Sequence, residues 1–229
     1  MPKILCIGKG FIGSALEAYD EFDCIHHRQF KPLLLRDYDA CVNTAGIVGY
    51  GLCKKTDNDT TYLANVSFAL HIKAACVATN TILFQPSTTG MYTPQSCPKL
   101  EGFIMPTETS PTKGYNVYVQ SKLAMERVLD GCYILRMPLV FETSFNKPQW
   151  SYVQDTYLSV LYTDDFRSYL LDFIRIKPEY GIYNMDSEII YLPDKFKSLE
   201  VKRHYNADMT SALPIDCSKL QSIYKEDTK

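Results

Sequence analysis

The chain opens on an arrangement that leaves few folds available. Lys3-Ile-Leu-Cys-Ile7 is a short unbroken apolar run, Gly8-Lys-Gly-Phe-Ile-Gly13 follows at once, and Ser14-Ala-Leu-Glu-Ala-Tyr19 can continue as helix. An apolar run without polar alternation is the mark of a strand covered on both faces, as in parallel sheets. Each glycine has its own task in a strand-turn-helix unit of this kind. Gly8 permits the tight turn, Gly10 lets backbone amides approach a pyrophosphate, and Gly13 lets the helix pack on the strand. Residues 8 to 13, with Phe11 and Ile12 between the glycines, are therefore expected to hold a dinucleotide.

Phe22-Asp-Cys-Ile-His26 reads as the second strand. An acid about 20 residues beyond the glycines usually meets a free ribose 2′-hydroxyl, and none stands between Cys24 and Arg36. His26, His27 and Arg28 occupy that place and suit a 2′-phosphate, so NADP(H) is favoured, with Arg28 as its contact and NAD(H) as the alternative. About ten residues, Pro32 among them, separate Arg28 from the next strand, Tyr38-Asp-Ala-Cys-Val42. That is near the minimum for a helical crossover, so a short or irregular connection is expected. Small residues close the third strand and bring Thr44, Ala45 and Gly46 against the cofactor.

From about residue 59 to 79, Leu63, Val66, Leu70, Ala74 and Val77 recur at helical spacing. His71 is expected to be an ordinary helix residue, since no second His or Cys stands at metal spacing, and no metal site is expected. Thr81-Ile-Leu-Phe84 is the next buried strand, ending in Gln85-Pro-Ser-Thr-Thr-Gly-Met-Tyr92. The carboxyl ends of parallel strands are where ligands bind. Residues 93 to 114, with Pro94, Pro98, Pro106 and Pro111, form a loop long enough to fold over such a site.

Tyr118 and Lys122 stand four apart and share one helix face, where an ammonium can favour the phenolate. The same spacing occurs at Tyr50/Lys54 and Tyr191/Lys195, among Gly, Pro and Asp where no helix is expected. Only the pair at 118 follows a strand ending in hydroxyls and continues with apolar spacing through Leu123, Met125, Val128 and Leu129. Cys132-Tyr-Ile-Leu-Arg-Met-Pro138 is a further strand.

Beyond it aromatics rise (Phe141, Phe145, Trp150, Tyr152, Tyr157, Tyr162) and glycine becomes rare. The fold expected is α/β, a Rossmann-like doubly wound parallel sheet over 1–144 with a small C-terminal substrate lobe over 145–229, some of whose segments return to the first domain. Trp150 is a candidate for stacking on a substrate base, although packing is the favoured role. Asp164 and Asp165 read as helix caps, Gly181-Ile-Tyr-Asn184 as a strand, and Leu213 to Leu220 as a final turn and helix start.

A net charge of −2 without a dense Lys/Arg tract speaks against nucleic acid and anionic membrane as partners, and for a small molecule. Eight cysteines without a Cys-x-x-Cys pair read as buried thiols of a reducing compartment. No apolar run approaches the roughly 20 residues that span a bilayer, so a cytoplasmic protein is expected.

Taken together, these segments resemble the extended short-chain dehydrogenase/reductases of the NAD-dependent epimerase/dehydratase type, which act on nucleotide sugars. The motifs that carry the resemblance are the glycine turn, Asn43 to Gly46, Asn65-Val66, Ser87 to Tyr92, Tyr118 with Lys122, Leu135 to Pro138, Thr163 to Asp165, Gly181 to Asn184 and the final turn. It implies a triad of Thr88, Tyr118 and Lys122, with Lys122 lowering the Tyr118 pKa and holding the nicotinamide ribose. It also implies cofactor contacts from Asn65, Tyr118, Lys122 and Pro138, and substrate contacts from Thr89 and Gly90. Dehydratase relatives place Asp-Glu directly after the threonine, and fucose-type epimerase-reductases a cysteine at the position of Gly90. Thr89-Gly90 here is similar to neither, which implies simple reduction of a keto group on a nucleotide-linked sugar, as in the dTDP-4-dehydrorhamnose reductase branch. A 4-epimerase with tightly bound NAD and a non-catalytic dinucleotide-binding regulator are the alternatives. Relatives pair through the two long helices, which implies a homodimer.

Overall fold

The computed structural model describes residues 1–92, 99–141, 152–154, 156–191, 194, 200–202 and 214–227. Numbered in chain order, β1 (Ile4–Ile7), β2 (Phe22–Ile25), β3 (Ala40–Asn43), β4 (Ile82–Thr88), β5 (Tyr133–Met137) and β9 (Gly181–Asn184) form one sheet in the order β2-β1-β3-β4-β5-β9. Every neighbouring pair in it is parallel. All residues of β1, β3 and β5 are buried, as strands covered on both faces require. The chain steps from β1 to β2 on one side and returns to β3 on the other, so strand order reverses between β1 and β3. At the carboxyl ends of the strands, that reversal opens a crevice.

The helices are α1 (Phe11–Leu16), α2 (Tyr50–Lys55), α3 (Asn58–Tyr62), α4 (Phe68–Thr79), α5 (Val117–Val128), α6 (Thr163–Ile176) and α7 (Ser218–Asp227). Side chains alternate along the strands between two cores. Ile4, Val42 and Phe84 face Leu16 of α1, Phe166 and Phe173 of α6 and Leu220 of α7. Leu5, Cys41 and Leu83 face Ile72 of α4 and Met125 of α5. Ring centroids of Phe84 and Tyr133 lie 5.2 Å apart, and those of Tyr133 and Phe173 4.9 Å. Such pairs contribute about 0.5–1.5 kcal/mol each beyond their area.

Between β2 and β3 the chain makes only two 3-10 turns, His27–Gln29 and Pro32–Asp37, anchored by the fully buried Leu35. This is the irregular connection the short spacing implied, and it leaves β2 at the sheet edge. The helix expected over 59–79 is continuous, but a π-helical turn at Leu63–Ser67 joins α3 to α4. One expectation is corrected: Tyr50 and Lys54 do lie on a helix, α2. Gly49, at φ 80°, turns the chain into it, and the buried Cys53 anchors it by donating to Ile47 O, so tertiary contact outweighs the unfavourable local composition. Of the third pair, Tyr191 ends a strand and Lys195 lies outside the described residues.

Past β5, the strands β6 (Leu139–Phe141), β8 (Tyr157–Tyr162) and β10 (Glu188–Tyr191) make a small mixed sheet, and β7 (Tyr152–Gln154) pairs in parallel with β11 (Glu200–Lys202). Between and after them, α6, β9 and α7 return to the main sheet and its core. Among the described residues no helix is long and apolar enough to cross a membrane, and the seven described cysteines are free.

Candidate active site

The glycine turn is built by close approach. Gly8 has φ 118°, and a Cβ there would lie 2.5 Å from Ala45 N, while one on Gly13 would lie 1.8 Å from Gly8 O. Neither position admits another residue without moving backbone. A Cβ on Gly10 would meet nothing within 4 Å, so this glycine faces open space. Thr44 Oγ1 ties the ends of β1 and β3 together by reaching Gly8 O at 2.9 Å and Ile7 O at 3.2 Å.

Asn43 Nδ2 donates to Gln85 Oε1 at 2.8 Å, and Asn43 Oδ1 accepts from Ala45 N at 3.2 Å. Gln85 Nε2 in turn reaches Pro86 O at 3.1 Å. On the far side of the loop, Asn65 accepts from Ile47 N at 2.8 Å and donates at 2.9 Å to both Ile47 O and Ser121 Oγ. The π-helical turn thus presents Asn65 as a clamp between the loop after β3 and helix α5. The sequence reading passed over Asn43, Gln85 and Ser121, although buried amides inside apolar strands signal a structured polar link.

Helix α5 starts at Asn116, whose side chain caps it by accepting from Val119 N at 2.9 Å. This cap sets Tyr118 in the first turn and Lys122 one turn later. Thr88, at the end of β4, borders the same cleft as Tyr118, and its Oγ1 accepts from Gly90 N at 3.0 Å. Lys122 is 5% exposed and its Nζ donates to Pro86 O at 3.1 Å. Burial pushes Tyr118 up to about 12, offset in part by the Thr88 hydroxyl, with smaller effects from Cys53 and Tyr115. Burial also brings Lys122 down to about 8, against the opposing charges of Glu126 and Cys53.

These groups border one cleft of about 340 Å³. Gly10, Phe11 and Ile12 of the glycine turn, Thr44, Ala45 and Gly46 after β3, and Thr88, Tyr118, Lys122 and Pro138 all line it. The remaining candidates lie elsewhere. Gly8 and Gly13 form the turn from behind, and Asn65 spends its side chain on Ile47 and Ser121. Arg28 is exposed in the 3-10 turn after β2, because the His26–Gln29 capping box turns the chain there. Thr89 and Gly90 are buried in the turn after β4, with Tyr115 OH on Gly90 O, and do not line the cleft. Trp150 lies outside the described residues. His71 is exposed, its ring 5.8 Å edge-on from Phe30. A larger cleft of about 630 Å³ opens at the opposite ends of the strands, beside Asp39, Ile82 and Tyr133, and holds none of these candidates.

This arrangement can bind an extended ligand along the strand ends and present it with a protonated phenol and a buried amine. Comparison with known proteins points the same way in fold. No curated protein matches the sequence. Among solved structures, a dTDP-4-dehydrorhamnose reductase of Clostridium acetobutylicum superposes with a TM-score of 0.73 at 17% identity, covering 96% of this chain and 92% of that one. RMD of Pseudomonas aeruginosa, complexed with NADPH, gives 0.71 at 16% identity over 96% and 92%. WbmG of Bordetella bronchiseptica, in complex with NAD and UDP, gives 0.71 at 14% identity over 98% and 89%. The profile of one family matches residues 16–132, just over half of the chain and the stretch that carries β2 to α5, so the protein belongs to the NAD dependent epimerase/dehydratase family.

Proposed function

We propose that the protein is an NAD(P)-dependent oxidoreductase that reduces a keto group of a nucleotide-linked sugar. One observation carries the reading: Thr88, Tyr118 and the buried Lys122 line the same cleft as Gly10. The residues present fit a dinucleotide, since the open space beside Gly10 is where a Cβ would stand and a pyrophosphate would approach. Thr44, Ala45 and Gly46 would flank it, and Lys122 would hold the nicotinamide ribose near Pro138. The reduced nicotinamide, when bound, supplies the hydride.

The protein's own part is proton transfer and charge placement. With its pKa near 12, Tyr118 carries its proton at neutral pH and can give it to the carbonyl oxygen of the substrate as charge develops there. The Thr88 hydroxyl hydrogen-bonds the same oxygen, and Lys122 supplies positive charge and replaces lost hydration. A phenol held up by burial favours donation, the direction of reduction, over the proton abstraction with which an epimerase begins. The small sheets after Pro138 would form the substrate lobe, and Arg28 is the cation a 2′-phosphate would meet, favouring NADP(H). A homodimer belongs to the same reading, with the exposed Leu63, Leu70 and Val77 of the long helical stretch as the surface a second copy would cover.

The test is oxidation of NADPH and NADH against a panel of 4-keto nucleotide sugars. Turnover with at least one sugar, faster with NADPH, is expected. Dinucleotide binding without turnover on any member would favour a non-catalytic binding protein instead.

A further inference from the structure

Glu126 was not among the candidate residues, yet it stands one turn beyond Lys122 on the same face of α5. Its carboxylate is almost fully buried, 5% exposed, against a 5% exposed Arg136 of β5. Oε2 accepts from Arg136 Nη2 at 2.7 Å and Nε at 3.3 Å, while Oε1 accepts from Arg136 Nε at 3.1 Å and from Ser87 Oγ at 2.6 Å. Ser87 lies between Pro86, whose carbonyl holds Lys122 Nζ, and Thr88, which lines the cleft with Tyr118. Arg136 Nη1 goes on to Tyr92 OH and Glu108 O, each at 3.0 Å, and Tyr92 OH donates to Asn184 Oδ1 at 2.6 Å. One carboxylate therefore joins the helix carrying the phenol and amine to the strand end carrying the hydroxyl, and through Arg136 to the loop around residue 108 and to β9.

A buried ion pair is a poor way to gain stability, since desolvation offsets most of its attraction. Its usefulness lies in fixing register, and here the register is that of the three groups at the cleft. We propose that Glu126 is a positioning residue of this site: through Ser87 and Arg136 it holds the β4 terminus and α5 in the alignment that brings Thr88, Tyr118 and Lys122 together. The inference rests on the reading of those three residues given under Proposed function.

The same carboxylate supplies negative charge beside the amine. The titratable groups around Lys122 are Tyr118 and Glu126 on its own helix, Cys53 from α2, and Arg136 from β5, which is paired with Glu126; β4 adds the Pro86 carbonyl and two hydroxyls. Burial drives the amine down, and Glu126 is the foremost group opposing that. Removing its charge while keeping its shape must lower Lys122 further. A carboxylate that only packs against Arg136 and has no influence on the amine predicts no such lowering.

The test is a pH titration of the Lys122 ε-carbon by NMR on the full chain, the signal assigned by its loss in Lys122→Arg. Wild type should titrate near 8, Glu126→Gln lower by about one pH unit or more, and Arg136→Gln, which leaves Glu126 uncompensated, higher. An unchanged or raised midpoint in Glu126→Gln overturns the proposal. Should Glu126→Gln not fold with Arg136 left unpaired, Arg136→Gln carries the test by itself: a raised midpoint is expected, and an unchanged or lowered one overturns the proposal. In turnover, the alkaline limb of kcat/KM should move acidward with the midpoint, and Glu126→Asp should restore it. If the midpoint moves while the limb stays, the role given to Lys122 in the reaction is overturned and the link between Glu126 and Lys122 stands.

Discussion

Alanine at two glycines of the first turn should separate what the turn does for the fold from what it does for a ligand. At Gly13 the added Cβ would sit 1.8 Å from Gly8 O and 2.9 Å from Gly8 C. An ordinary contact is about 3.5 Å, so β1 and α1 must part by on the order of 1.5 Å. The obstacle is backbone, which no rotamer change can clear, and overpacking of this kind costs about 1–3 kcal/mol or more. Helix propensity returns at most about 1 kcal/mol, leaving a net loss of about 2 kcal/mol where the cost is at the upper end of that range, as a backbone obstacle implies. At Gly10 the φ of −80° is open to alanine and its Cβ would meet nothing within 4 Å. Stability of Gly10→Ala should stay within about 0.5 kcal/mol of wild type, the reduced freedom of the unfolded chain offsetting a weaker cap. Its methyl, however, would stand where a pyrophosphate approaches, so NADPH affinity should fall about tenfold or more, equivalent to about 1.4 kcal/mol. Urea unfolding and cofactor fluorescence titration on both variants read the two effects separately. Gly10→Ala binding NADPH as wild type does would refute the placement of the cofactor, and Gly13→Ala unfolding at the wild-type midpoint would refute the packing argument.

Lys122→Met should stabilise the protein at neutral pH while abolishing turnover. The folded amine at about 8 lies below the roughly 10.4 of an unfolded lysine. Between those values the unfolded chain binds more protons, so wild-type stability should climb with pH, by up to about 3 kcal/mol in all. Urea midpoints followed from about pH 7 to about pH 9.5 should rise in wild type and stay level in the variant, which starts higher. Tyr92→Phe removes a hydroxyl that joins Asn184 to Arg136 in a fully buried setting, and should lower the unfolding free energy by about 1–3 kcal/mol in the same assay. Arg28→Ala should weaken NADPH binding several-fold and leave NADH binding unchanged, by fluorescence titration; equal losses for both would remove the argument for a 2′-phosphate contact.

Much of the architecture was legible because short apolar runs can be satisfied only inside a doubly covered sheet. Lys3 to Ile7, Tyr38 to Val42 and Cys132 to Pro138 each declared a strand for that reason. The missing helix between β2 and β3 was legible too, since ten residues with Pro32 leave no room for one. Helix α2 was not, because Cys53 and its contacts decide it and local propensity argues the other way. The π-helical turn at Asn65 was hidden by a periodicity that fits a plain helix equally well. At the site, the spacing of Tyr118 and Lys122 carried the search, while Glu126 and Arg136 were not among the candidates. Their pairing crosses from a helix to a strand, and only the folded chain brings Ser87 to Glu126. That the Lys122 ammonium has a backbone acceptor of its own, Pro86 O, is a point spacing cannot show.

The most direct measurement compares NADPH oxidation by wild type and Tyr118→Phe on whichever 4-keto nucleotide sugar wild type reduces. A positioned proton donor is worth about 10²-fold or more, so kcat should drop by at least that factor while NADPH binding persists. Turnover of Tyr118→Phe within a few-fold of wild type would contradict the assignment of the phenol in the cleft as the proton donor.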